Sequence, residues 1–263
     1  MFLSDQIEAE RGLAFEPECV PESCMSKSFL FELCADSLEA ARAAQAGGAD
    51  RMELCEDLSI AGVTPSIALL KAVLDEVSIP VHVLIRPRGG DFVYSSDELM
   101  VMCRQIEQAK AAGAAGVAVG VLLPNGRVDV QRTRELFQAA RPMKVTFHRA
   151  FDETSDLEQA LEDVILSGAD CLLTSGGAPN VLTGAEQIGR LQAQAGDRLE
   201  VMAGGGLKLA NLAEVVRRSG VTCLHGSLAR PRTVNGLAPA SVLEEDLREA
   251  IRLLQQECLE PAR

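Results

Sequence analysis

The chain has 263 residues, 47% of them hydrophobic, and a formal net charge of −13. That length suits one large domain or two small ones, and the acidic balance excludes nucleic acid and anionic membrane as main partners, because both select basic surfaces. No apolar run approaches the roughly 18 residues of a membrane span, and the acidic start MFLSDQIEAERGLAFEPE lacks the apolar core of a secretory signal.

Residues 1–28 carry Pro17, Pro21, Cys19 and Cys24 and show no regular period, so they read as an N-terminal extension. From residue 29 the pattern becomes regular. Phe31-Glu32-Leu33-Cys34 and Met52-Glu53-Leu54-Cys55 repeat one motif, a short buried strand with a carboxylate two residues before a thiol. Side chains two apart share a strand face, so Glu32 goes with Cys34 and Glu53 with Cys55. Between them, Asp36 or Ser37 caps an Ala-rich helix that Gly47-Gly48 ends. The result is a right-handed parallel βαβ unit.

Further strands end near Arg86, Val121, Arg149, Ser175, Gly204 and Ser227. Helical patterns cover 66–77, 96–112, 130–140, 157–167, 181–195, 209–219 and 242–257. Eight such units, recurring about every 28 residues, match a TIM (β/α)8 barrel over residues 29–258, with 259–263 as a tail. An open doubly wound sheet, the runner-up, usually has fewer strands. Chemistry in a barrel sits at the C-terminal strand ends, which directs attention to the βα loops.

Strand three ends in Arg86-Pro87-Arg88-Gly89-Gly90-Asp91. Arginine there suits bidentate carboxylate or phosphate binding, against the plainer possibility of an Arg–Asp bridge that shapes the loop. Strand five ends in His148-Arg149, followed by Asp152, an acid–base or anion site or else a buried, hydrogen-bonded histidine. Ser175, the run Gly204, Gly205 and Gly206, and Ser227 end strands six, seven and eight, where many barrels hold an anion on backbone N–H groups. Inside a barrel, Glu32 and Glu53 need charged partners, and Arg86, Arg88 and Arg149 are the expected ones.

Cys34, Cys55, Cys171 and Cys223 sit within apolar strands and Cys103 within a helix, and the eight cysteines form no C-x-x-C pair. This usage points to a cytoplasmic protein with reduced thiols rather than a disulfide scaffold or zinc finger.

Taken in order, ELCADS, GGADRMELC, AGVTPS, IRPRGGDFVYS, VTFHRAFD, LTSG and MAGGG resemble the CutC copper-homeostasis family over residues 29–230. The resemblance implies a TIM barrel, a cytoplasmic location, a homodimer or larger oligomer, and Cu(I) at paired cysteines that correspond to Cys34 and Cys55. Thiolates are soft ligands that prefer Cu(I), and two on adjacent strands could form a linear two-coordinate site. The segment Leu228 to Ala240, LARPRTVNGLAPA, departs from the family pattern. Two-coordinate copper leaves the charged loop residues unused. The alternative is therefore an enzyme, a lyase or isomerase of a small phosphorylated or carboxylated sugar-like metabolite. Arg86, Arg88, Asp91, His148, Arg149, Glu32 and Glu53 would then be its catalytic set.

Overall fold

A computed structural model describes residues 29–228 and 240–259. The N-terminal extension, most of the divergent segment after strand eight and the tail lie outside the described residues. Eight strands, β1 (Leu30–Ala35), β2 (Arg51–Leu54), β3 (Val81–Leu84), β4 (Gly116–Val119), β5 (Lys144–Phe147), β6 (Cys171–Thr174), β7 (Glu200–Ala203) and β8 (Cys223–Gly226), pair in parallel in chain order. β8 returns to β1 and closes the barrel. This is the TIM barrel that the repeat of strands and helices predicts.

Helices cover the outside: α1 (Leu38–Gly47), α2 (Ile67–Glu76), α3 (Ser96–Ala112), α4 (Val130–Ala140), α5 (Leu157–Ser167), α6 (Ala185–Ala195), α7 (Leu209–Ser219) and α8 (Ala240–Leu259). Local chemistry sets their ends. Ser37 and Ser66 accept N-cap bonds from Ala40 and Leu69. Ser95 and Glu98 form a complete capping box on α3, and Gly113 ends that helix in the left-handed conformation. α6 begins at Ala185 rather than Val181, because the chain from Asn180 to Gly184 is taken up by a turn in which Asn180 accepts from Thr183.

Strand alternation splits the barrel into two environments. Odd-numbered β1 positions and their equivalents (Phe31, Leu33, Met52, Leu54, Val83, Val117, Val145, Phe147, Val201, Leu224) point outward and fuse with the helices into one apolar core. The other set points into the barrel lumen. It forms two small clusters, Cys171, Leu173, Met202 and Cys223 toward the strand starts and Cys55, Leu84 and Ala118 toward the strand ends. Between them the lumen is lined with charge: Glu32, Glu53 and His82 are buried.

The capping box makes a stability test available. Ser95→Ala removes the acceptor for the Glu98 amide and should destabilise the fold by about 1 kcal/mol, read as a lower urea midpoint with an unchanged m-value.

Candidate functional site

The lumen site is built at the seam where the barrel closes. Glu32 sits mid-strand on β1, in register with Arg51 on β2 and His225 on β8. Its carboxylate accepts a 2.8 Å hydrogen bond from His225 Nδ1 and bonds Arg51 Nε. His82 Nδ1 lies 3.8 Å away. Burial alone would push this carboxyl up. The His225 hydrogen bond and charge, followed by Arg51 and His82, outweigh burial and hold Glu32 at about 2. Burial opposes the His225 imidazolium, but its bond to Glu32 and the charge of Glu53 raise it above the ordinary histidine value. Burial is the largest influence on His82 and lowers it, with Glu32 opposing.

Glu53 lies one strand over, 3.9 Å from His225 Nε2. Burial is the largest influence on it and His225 the main opposing one. With Glu32 already negative, the balance raises Glu53 to about 7. Two neighbouring carboxyls are thereby pushed apart in acidity, one permanently charged and one able to exchange a proton near neutrality.

Above this layer Cys34 and Cys55 face each other with Sγ atoms 3.7 Å apart. The β1–β2 register sets Cys34 against Glu53, so one ligand atom each from Cys34, Glu53 and His225 falls within 4.8 Å of the others. The bond to Cys55, then burial, raises the Cys34 thiol well above its usual range. Glu53 and His225 each bring a ligand atom beside the Cys34 sulfur.

The arginines expected to neutralise Glu32 and Glu53 lie elsewhere. Arg86 is buried at the end of β3 and donates to the carbonyls of Ile60, Gly62 and Gly90, which ties two loops together. Arg88 pairs with Asp91 and Glu98 and shapes its own loop. Arg149 pairs with Asp152 and donates to Ser175 Oγ. Asp152 also accepts from the amides of Ser175 and Gly177 and from the Ser175 hydroxyl, fixing the strand-six loop. The partners are instead Arg51, His82 and His225. All three lie on the same strand faces as recognised residues: Arg51 two before Glu53, His82 four before Arg86, and His225 two before Ser227. Extending the two-residue alternation down each strand would have found them.

His148 closes the lumen at β5. Its Nδ1 accepts from the Ala150 amide, so the proton sits on Nε2, which is buried without a partner, as is Arg86 Nε. Both side chains lie against Phe92, 5.1 Å between ring centroids for His148 and 4.9 Å from the Arg86 guanidinium carbon to the ring. Burial, with the nearby arginines, depresses His148 to about 3, so it serves as a neutral N–H donor rather than a base. Gly205 and Gly206 have positive φ, and a Cβ on Gly205 would strike Arg149 at 2.9 Å. Gly204 sits lower, packed on Leu173 and His225. Ser175 Oγ is engaged with Asp152 and the Ala178 carbonyl. Ser227 is partly exposed just past β8.

The profile of the CutC family matches residues 29–230. The chain belongs to the CutC family. It is 47% identical to a CutC family protein of Chromobacterium violaceum over 198 residues, 75% of this chain and 80% of that one. It is 45% identical to the human copper homeostasis protein cutC homolog, over 79% and 76% of the two chains. A CutC crystal structure from Streptococcus agalactiae superposes with a TM-score of 0.72 at 31% identity, covering 76% of this chain and all of that one. More distant barrels, such as the aldolase QR15 (TM-score 0.57, 18% identity, 77% and 91% coverage), share the fold alone. Among the described residues of this CutC member, no helix is long and apolar enough to cross a membrane.

The carboxyl pair sets the pH response. Glu32 has a folded value below its unfolded one, so its stabilisation is present above about pH 4.5 and is lost as pH falls toward 2. Glu53 has a folded value above its unfolded one, so stability falls as pH rises from 4.5 to about 7 and then levels. In the metal-free protein Glu53→Gln should flatten the decline between these limits and raise the urea midpoint at pH 8 relative to wild type. An identical pH profile in both proteins would contradict the assignment.

Proposed function

We propose that this chain is a copper-homeostasis protein that holds Cu(I) on Cys34 and Cys55, with Glu53 and His225 completing the environment. The observation that carries the reading is the pair of lumenal sulfurs 3.7 Å apart, with a carboxylate and an imidazole beside them. Thiolates select Cu(I) over hard cations. The raised Cys34 thiol is protonated at neutral pH, so binding releases protons and affinity rises with pH. The family's copper-linked names, including that of the human relative, point the same way. Cu(I) is cargo in this reading: the ion enters and leaves, and no bond of a substrate is broken.

In an anaerobic competition with a chromophoric Cu(I) chelator, Cys34→Ser/Cys55→Ser should lose an equivalent that wild type holds while keeping its far-ultraviolet circular dichroism. Equal uptake by the variant at every chelator concentration would dismiss this site.

A second reading has its own observation. Arg86 Nε and His148 Nε2 are buried donors with no partner, both against Phe92 at the strand ends, and a buried donor left unmatched is costly unless something accepts from it. They suit the anionic oxygens of a small phosphorylated or carboxylated metabolite, the substrate class of a lyase or isomerase. Arg86 is unsuitable for the test because it ties the loops together, so His148→Gln is the variant of choice. A thermal-shift screen of acidic metabolites should yield a compound that stabilises wild type and not His148→Gln. Stabilisation by Cu(I) alone would leave only the copper reading.

A further inference from the structure

The opposite end of the lumen carries a second sulfur cluster that the copper reading above does not use. Cys171 opens β6, Cys223 opens β8, and β7 between them contributes Glu200 and Met202. Register places Cys171 against Glu200 and Met202 against Cys223. Cys171, Met202 and Cys223 are all buried and pack as one cluster. The ligand atoms of Cys171, Glu200 and Cys223 lie within 4.8 Å of one another. Three strands thus gather two thiols, a thioether and a carboxylate in one cluster near the strand starts.

We propose that Cys171, Cys223 and Met202, with the Glu200 carboxylate at the rim, form a second metal site that takes one Cu(I). The donor set decides the ion. Thiolate and thioether sulfur are soft, and that pairing favours a soft monovalent ion over calcium, magnesium or manganese. Charge agrees. Two cysteine thiols bind Cu(I) by releasing two protons, which gives a bis-thiolate complex of net charge −1 with no change of oxidation state. The Arg51 guanidinium supplies the balancing positive charge, with Nη2 3.8 Å from Cys223 Sγ and 3.3 Å from Met202 Sδ. Its Nη1 is 3.9 Å from Glu200. Glu200 is 45% exposed and lines a 450 Å³ cleft with Gln192, Gly196, Asp197, Gly220 and Thr222, so this carboxylate joins the buried sulfurs to the surface.

Two buried thiols also pack as small hydrophobes, and that role alone would not bring a carboxylate and an arginine to the same sulfurs. The site does not depend on Cys34 and Cys55, which lie on the far side of the Glu32 layer.

The test uses the full chain with Cys19, Cys24, Cys103 and Cys258 changed to Ser, which leaves the two lumenal pairs as the thiols present. Anaerobic titration against a Cu(I) chelator should give two equivalents for this protein and one after Cys171→Ser/Cys223→Ser. Met202→Leu, a volume-conserving change that keeps the fold, should weaken one equivalent about tenfold and leave the other. Two equivalents retained by the double-serine variant, with Met202→Leu also unchanged, overturns the proposal. So does a single equivalent that Cys34→Ser/Cys55→Ser abolishes, and that result leaves the upper site standing. A single equivalent lost only on changing Cys171 and Cys223 supports the lower site and removes the upper one.

Discussion

The buried carboxylate of Glu32 is the constraint on which the lumen depends. It stands on β1, at the seam where β8 and β2 flank the first strand, and it bonds to both neighbours at once: His225 from one side and Arg51 from the other. A lone carboxylate at that depth would be neutralised or expelled, and removing one member of such a buried set typically costs 3–5 kcal/mol. The closure of the barrel is therefore also an electrostatic closure, because each of the three strands brings a charge that the other two require. The remaining lumen charges follow. Glu53 cannot share the same cations on equal terms, so it is left near neutrality in its affinity for a proton, while burial lowers His82 nearby.

This charged layer separates two sulfur environments. Toward the strand ends Cys34 and Cys55 meet beside Glu53 and His225; toward the strand starts Cys171, Cys223 and Met202 meet beside Arg51 and Glu200. Arg51 belongs to both the layer and the lower cluster, since its Nε binds Glu32 while its Nη2 reaches the sulfurs. The two ends differ in polarity as a result. The upper thiols face a carboxyl that can lose its proton, and the lower thiols face a fixed cation. Thiolate is disfavoured at both ends: the Cys34 and Cys223 thiols are each raised, by the neighbouring cysteine and by burial, and at Cys223 the Arg51 charge opposes the rise only in part.

Much of this was legible in the residues. Strand and helix order, the barrel, the helix spans 96–112, 130–140, 157–167 and 209–219, and the shared face of Glu32 with Cys34 all follow from periodicity. Two kinds of fact did not. One is stagger. The β1–β2 register sets Cys34 against Glu53 rather than Cys55, and nothing in a single strand's alternation reports its offset from the next. The other is depth. Arg51 opens its strand, where alternation gives its face but not its depth, and only 13% of its side chain is accessible. The arginines nearest in the sequence pattern, Arg86, Arg88 and Arg149, sit at the other end of their strands and serve loop carbonyls and loop carboxylates.

Filling a lumen with histidines and arginines requires room, and small residues on facing strands supply it. A Cβ at Gly116 would come within 2.6 Å of the His82 ring, and one at Gly120 within 2.5 Å of the His148 ring. β4 therefore gives up side chains at both levels, and β3 and β5 lay their imidazoles across it. Gly204 does the same on β7 for Leu173 and His225. Barrel interiors are ordinarily filled by branched aliphatic residues, which pack without needing partners. Here the bulk is carried by groups that must each be hydrogen-bonded or paired, at a cost that apolar packing would not incur. That arrangement is expensive for stability alone, and it keeps the Cys34 thiol, the Glu53 carboxyl and the His225 imidazole within 4.8 Å of one another.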